Sequence, residues 1–194
     1  MEYQVNFNLI LRADAAVRSK LKRTRLVRSE WLSTLYGGDV LLKCENEQET
    51  GSFKVRGAVA KLAAGQPERV ASASAGNHGL GLAWASRDAG VACTIFVPRT
   101  VPAVKADRIA ALGATLVKAP FDTFDPTQKY ALERLDGATW VSAYDDPDVI
   151  AGNGGTTALA IYEEARVDAV VVPCGGGGLA IGAGIVAHRH GAKL

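Results

Sequence analysis

The chain has 194 residues, 48% of them hydrophobic and 22% charged, with a net charge of +2. That length suits one ordinary domain or two small ones and can bury a core without covalent staples. The near-neutral balance excludes a polyanion-binding surface as the organising feature.

The basic residues that do cluster, Arg18, Lys20, Lys22, Arg23, Arg25 and Arg28, have few aromatics among them. They read as a solvated helix face and loop. Cys44, Cys93 and Cys174 lie far apart with no CxxC spacing, which fits a reducing compartment rather than a disulfide framework or a zinc site. His78, His188 and His190 offer no metal-site spacing. The expectation is a cytoplasmic protein without signal peptide, membrane span or metal.

Met1 to Leu11 reads as a short extension. Helical periodicity runs from about Leu9 to Leu21, with Leu11, Ala15 and Val17 facing one way. Ser29 is a good N-cap for a second helix to about Tyr36, stopped by Gly37-Gly38. Val40 to Lys43 reads as a strand. It leads into Glu49-Thr50-Gly51-Ser52-Phe53-Lys54-Val55-Arg56-Gly57-Ala58 and a helix from about Ser52 to Leu62. Lys54 therefore sits near a helix start, where free N–H groups and the helix dipole oppose its protonation. A lysine that loses its proton easily is suited to forming a Schiff base with an aldehyde. From these residues alone, a solvated lysine on an amphipathic helix is equally consistent.

A regular alternation follows. Val70 to Ser72 reads as a strand, His78 to Arg87 as a helix ended by Gly90, and Val91 to Val97 as a strand. Pro102 to Leu112 is a helix with Gly113 as its C-cap. Ala114 to Val117 is a strand, Thr127 to Leu135 a helix and Ala138 to Val141 a strand. Strands spaced by ten-residue helices indicate βαβ units and a parallel sheet. The last part reads as a helix over about Thr156 to Ala165, a strand at Ala169 to Val172, and a helix over about Leu179 to His188. Gly191-Ala192-Lys193-Leu194 repeats the helix-to-strand punctuation of Gly113 to Val117. The expectation is the N-terminal portion of a longer protein.

The glycines concentrate at Gly76 to Gly81, Gly152 to Gly155 and Gly175 to Gly184. Val170-Val171-Val172-Pro173-Cys174-Gly175-Gly176-Gly177-Gly178-Leu179 is a strand, a glycine turn and a helix start. Successive N–H groups there converge at a helix N-terminus, which makes a phosphate site. Gly175-x-Gly177-x-x-Ala180 also formally fits a dinucleotide fingerprint, so nicotinamide and flavin cofactors stay open here. Ser72-Ala73-Ser74-Ala75-Gly76-Asn77-His78-Gly79 opens a helix with groups able to hold a carboxylate, or simply to cap it. His78 in isolation reads as structural. Gly152-Asn153-Gly154-Gly155-Thr156 is equally a capped loop or a functional helix start.

Taken together and in order, Thr50-Gly51-Ser52-Phe53-Lys54-x-Arg56-Gly57-Ala58, Ser74-Ala75-Gly76-Asn77-His78-Gly79 and Gly175-Gly176-Gly177-Gly178-Leu179 resemble the fold-type II pyridoxal-phosphate enzymes. Within that group the chain is most similar to threonine ammonia-lyases (threonine dehydratases) and serine racemase/dehydratases. The similarity runs from about Ala16 to the end. It includes Arg25-Leu26-Val27-Arg28-Ser29, Leu42-Lys43-x-Glu45-Asn46 and Asp145-Asp146-Pro147-Asp148-Val149-Ile150-Ala151-Gly152.

The resemblance implies an α/β, tryptophan-synthase-β-like fold with parallel sheets and helices on both faces. Residues 1–59 and 142–194 would form an incomplete large domain, and residues 60–141 a small βαβ domain. It implies pyridoxal 5'-phosphate held by Lys54 as a Schiff base, with Lys54 also moving the substrate α-proton. Phe53 would pack by the ring and Asn77 would bond the ring hydroxyl. Gly175, Gly176, Gly177, Gly178 and Leu179 would cradle the phosphate. Ser74, Ala75, Gly76, Asn77 and His78 would line the substrate carboxylate site. The implied reaction is β-elimination from threonine or serine to a 2-oxo acid and ammonia, in a homo-oligomeric enzyme.

Ala75 stands where racemases of the group carry a proton-transferring serine, so elimination is expected over racemisation. Two departures stand out. Arg25 replaces a common proline, and Asn153-Gly154-Gly155 is one residue longer than the usual glycine-threonine turn. The alternatives are a truncated inactive fragment or partner subunit, a cysteine-synthase-like β-replacement enzyme and, more distantly, a nicotinamide-binding protein.

Overall fold

The computed structural model describes residues 5–194. Helix α1, Phe7–Lys20, is capped by Asn6, whose side chain accepts from the Leu9 N–H, and it carries Arg18 and Lys20 in its last turn. Both ends thus answer the helix dipole and its free backbone groups. Ile10, Ala13 and Val17 form its buried face. The expected extension is therefore already helical from Phe7, and residues 1–4 lie outside the described residues.

Strands β1 (Leu26–Arg28) and β2 (Leu41–Lys43) pair antiparallel. Between them runs α2, Glu30–Tyr36, begun by Ser29 and ended by Gly37 at φ 68°, as the caps predict. Helix α3 spans Lys54–Gly65. The alternation then proceeds as β3 (Arg69–Ala73), α4 (Asn77–Ala89), β4 (Ala92–Pro98), α5 (Ala103–Ala110), β5 (Thr115–Ala119), α6 (Phe124–Leu132) and β6 (Thr139–Trp140). These strands form one four-stranded parallel sheet in the order β5-β4-β3-β6.

The period of two sorts its residues between two cores. Val70, Ile95, Val97 and Leu116 pack on one face with Val55, Leu80 and Leu82 from α3 and α4. Ala71, Ala73, Phe96 and Val117 pack on the other with Phe124, Tyr130 and Ala131 from α6. Register keeps like with like, Ile95 opposite Leu116 and Phe96 opposite Val117. A one-residue slip would exchange the faces. Each fully buried Ile, Leu or Val contributes roughly 1.5–3 kcal/mol.

Helix α5 ends at Ala110, with Ala111 rather than Gly113 as its C-cap, and three larger expectations change. Helix α6 starts at Phe124 rather than Thr127, because Pro126 is tolerated in a first turn and Phe124 packs under the sheet. The expected strand Ala169 to Val172 is reduced to one parallel bridge, Ala169 to Lys193, with Val171 95% exposed. A strand needs a continuous partner for its N–H and C=O groups; among the described residues only the 192–194 tail offers one.

The third change is at Gly152–Gly155. Helix α7 (Pro147–Ile150) runs through a π turn, Ala151–Gly155, directly into α8 (Thr156–Tyr162). The capped-loop reading fails there. A π turn accommodates one extra residue inside a helix, which absorbs the longer Asn153-Gly154-Gly155 sequence. The last helix, α9, spans Gly178–Arg189.

Candidate functional site

Strand β3 leads to β4 on one side, while β6 returns to its other side. Where strand order reverses, the loops leaving adjacent carboxyl ends diverge and open a crevice. Here those loops are Ser74–Gly76, leading into α4, and Val141–Tyr144, leading towards α7. Helix α3 packs against α4 so closely that a Cβ on Gly81 would lie 3.0 Å from the Val55 nitrogen and 3.1 Å from the Lys54 carbonyl carbon. The first residue of α3 is thereby brought to the crevice.

That residue is Lys54. Its backbone N–H donates to Ser52 Oγ at 3.4 Å and its amine donates to the Ala143 carbonyl at 3.2 Å. The amine lies 5.5 Å from the ring centres of both Phe53 and Tyr144, within reach of cation–π attraction. Burial lowers the Lys54 pKa from the ordinary lysine value, since a half-buried ammonium loses hydration that the neutral amine does not need.

Lys54 shares a cavity of about 230 Å³ with Gly175, Gly176, Gly177, Gly178 and Leu179. Gly177 is the N-cap of α9 at φ 85°, and no side chain caps the helix. Its first N–H groups are left for another acceptor, with the positive end of the dipole behind them. A Cβ on Gly175 or Gly177 would meet nothing within 4 Å, whereas one on Gly176 would run into the Tyr144 ring at 2.1 Å. An amine and an anion cradle on one cavity fit an aldehyde that carries a phosphate. Phe53, Ala143, Tyr144, Val149, Ile150, Asn153 and Pro173 complete the lining.

Ser74, Ala75, Gly76, Asn77 and His78 do not line that cavity. Gly76 and Asn77 are exposed at the start of α4. His78 is buried: its Nε2 lies 3.1 Å from Ser72 Oγ and 3.2 Å from the Val141 carbonyl, and its Nδ1 has no partner. Burial, reinforced by the Lys54 charge, pushes its pKa down to about 4, so the ring is neutral near pH 7. Its Nε2 contacts tie the β6 exit to β3.

Sequence reasoning missed Tyr144 and left Asn153 within a run that read equally as loop or functional helix start. The aromatic residue immediately before Asp145-Asp146-Pro147 was a signal for the first. The second was hidden by its glycine neighbours.

Three ion pairs, made by Arg56 and Lys61, hold α3 from outside the cavity. Arg56, with its side chain 5% exposed, donates to Glu45 at 2.7 and 2.8 Å and to Thr156 Oγ1 at 3.3 Å. Lys61 pairs with Asp146 at 2.8 Å and Asp148 at 3.2 Å, and Asp146 also caps α7. Among the described residues no cluster of His, Cys, Asp and Glu could hold a metal, and no helix is long and apolar enough to cross a membrane.

Comparison with known proteins gives the same picture. L-threonine ammonia-lyase of Thermotoga maritima is 42% identical over 183 residues, which are 91% of this chain and 45% of that protein. Beta-hydroxyaspartate dehydratase of Paracoccus denitrificans is 34% identical over 93% of this chain and 59% of its own length. The processed form of threonine deaminase isoform 2 from Solanum lycopersicum superimposes with a TM-score of 0.88 at 33% identity, covering 96% of this chain and 57% of that one. The chain thus spans about half the length of the curated relatives it matches. Its fold is the fold-type II, tryptophan-synthase-β-like one that its motifs resemble. The family model for pyridoxal-phosphate-dependent enzymes matches residues 17–194, and the chain belongs to that family.

Proposed function

We propose that this chain carries the cofactor lysine and phosphate cradle of a lyase that removes water and then ammonia from threonine or serine, leaving a 2-oxo acid. The observation that carries the reading is one cavity shared by the Lys54 amine and the Gly175–Leu179 run. When bound, pyridoxal phosphate supplies the electron sink for loss of the substrate α-proton.

The chain's own residues do the rest. Lys54, made less basic by burial, would hold the cofactor through its amine and, when free, would accept the substrate α-proton. The Ala143 carbonyl holds that amine in place. The free N–H groups of α9 bind the phosphate, and Phe53 and Tyr144 wall the ring site. The backbone at Ser74–His78 would receive the substrate carboxylate, and Asn77 would hydrogen-bond the ring hydroxyl. Ala75 has no titratable atom, so no proton is delivered from its position, which favours elimination over racemisation. Residues 60–141 would act as the smaller domain of this cleft, in an enzyme assembled as a homo-oligomer.

The test is borohydride reduction of the protein mixed with pyridoxal phosphate, followed by peptide mapping and by assay with L-threonine and L-serine. The expected result is one adduct at Lys54, absent from Lys54→Ala, with 2-oxo acid produced. Adducts scattered over surface lysines, or D-serine as the main product from L-serine, would overturn the reading.

A further inference from the structure

The segment around Lys54 secures the first turn of its helix only in part, with Ser52 Oγ accepting the Lys54 N–H at 3.4 Å. The N-cap, Phe53, offers no side-chain acceptor, and its carbonyl takes the Arg56 N–H at 3.0 Å. The Gly57 N–H, three residues beyond the lysine, donates instead to Asn153 Oδ1 at 2.9 Å, in a buried bond spanning 96 positions of sequence.

Asn153 is 3% exposed and lines the same cavity as Lys54. It stands in the middle of the π turn, where its backbone is itself held. Thr157 Oγ1 donates to the Asn153 carbonyl at 2.7 Å, and Thr156 Oγ1 to that of Gly152 at 2.6 Å. The two helices meet at backbone distance. A Cβ on Gly57 would lie 2.7 Å from Asn153 Cγ, and one on Gly152 would lie 2.7 Å from the Gly57 Cα. No other polar side chain of the π turn faces α3, because its remaining residues are Ala151, Gly152, Gly154 and Gly155.

We propose that Asn153 is a positioning residue for Lys54. Delivered by the π turn, its amide oxygen fixes the first turn of α3 and so sets where the Lys54 amine enters the cavity. The inference rests on the reading of Lys54 as the cofactor lysine. A one-residue widening of the helix turns the residues after it out of step with those before. The extra residue thus places Asn153 towards α3 while Thr156 is kept for Arg56.

The experiment compares wild type, Asn153→Leu and Asn153→Asp in the protein as its gene encodes it. Each is mixed with pyridoxal phosphate, and separately with pyridoxal, over a range of pH. The rate of Lys54 adduct formation is read by borohydride trapping and peptide mapping and scaled to the folded fraction from circular dichroism. Pyridoxal lacks the phosphate, so it reports on the lysine apart from the glycine cradle. Asn153→Leu is expected to slow the limiting rate with both aldehydes by on the order of tenfold or more, as misplaced reacting atoms do. Asn153→Asp keeps the acceptor, so it is expected to restore the limiting rate while moving the pH midpoint upward, since a carboxylate favours the ammonium form. An unchanged rate in Asn153→Leu, or a loss that Asn153→Asp does not restore, would overturn the proposal. No adduct at Lys54 in wild type would instead overturn the functional reading on which it rests.

Discussion

Gly152–Gly155 and Gly175–Gly178 both lead into helices, yet the two runs use glycine in opposite ways. The first is buried throughout, and every glycine in it is pressed by a neighbour. Added Cβ atoms would come within 2.7 Å of Gly57 at Gly152, 2.3 Å of the Leu179 carbonyl at Gly154 and 2.6 Å of Ile10 at Gly155. In the second run Gly175 and Gly176 are exposed and Gly177 and Gly178 half-buried; Gly176 faces the Tyr144 ring, but Gly175 and Gly177 have open space beside them. In one run the missing side chain lets three helices touch at backbone distance. In the other it leaves N–H groups bare for a ligand. Composition alone does not separate packing glycine from binding glycine, because both are defined by what lies where the side chain would be.

Substitution should separate them, and the largest effect is expected at the packed run. Gly154→Ala forces a methyl against the Leu179 carbonyl and the Ala183 nitrogen at 2.8 Å, backbone atoms that have no rotamer to change. Its expected cost is about 3 kcal/mol or more, read as a drop in melting temperature on the order of 10 °C. Unaltered melting would show that the two runs are not different in kind.

Next is a pH effect at a buried residue. His78 is held at about 4 when folded, against an ordinary 6.5. Between those values the unfolded chain binds more protons than the folded one. Stability is therefore fully present above pH 6.5 and falls as the pH drops towards 4, by about 3 kcal/mol at most. Denaturant titrations across this window should show the slope, and His78→Gln should flatten it. An equal slope in the variant would place the titration elsewhere.

Smaller effects are expected at the open run. Gly177→Ala requires an L-residue at φ 85°, costing roughly 1–2 kcal/mol, and it should weaken phosphate-dependent cofactor retention. Smallest for stability is Gly175→Ala, expected within about 0.5 kcal/mol because its surroundings are empty. If Gly175→Ala nevertheless lowers affinity for pyridoxal phosphate but not for pyridoxal, the open run is a phosphate cradle. Equal affinity for both would make it a plain turn.

Much of this architecture was legible in the chain itself. Caps at Ser29, Gly37 and Gly90 were visible because capping is local chemistry between residues three or four apart. The parallel sheet was visible because spacing alone forces crossover connections. The strand at Ala169 to Val172 was not: its apolar run is correct for a strand, but pairing depends on a partner that sequence does not display. The π turn was unreadable for a related reason. Asn153-Gly154-Gly155 resembles a breaker sequence, and it becomes helical only because Gly57 and Ile10 occupy the space its side chains would need.

The site divides along the same line. Residue identity by itself determined that an amine stands at a helix start and that a glycine run precedes another helix, since each is a matter of a few adjacent residues. Only the tertiary structure decided that Lys54 and Gly175–Leu179 share a cavity, that Tyr144 walls it, that the His78 ring is spent inside the fold and that Asn153 reaches the lysine helix. Those facts depend on long-range packing, where the nearest neighbour in space can lie 96 positions away.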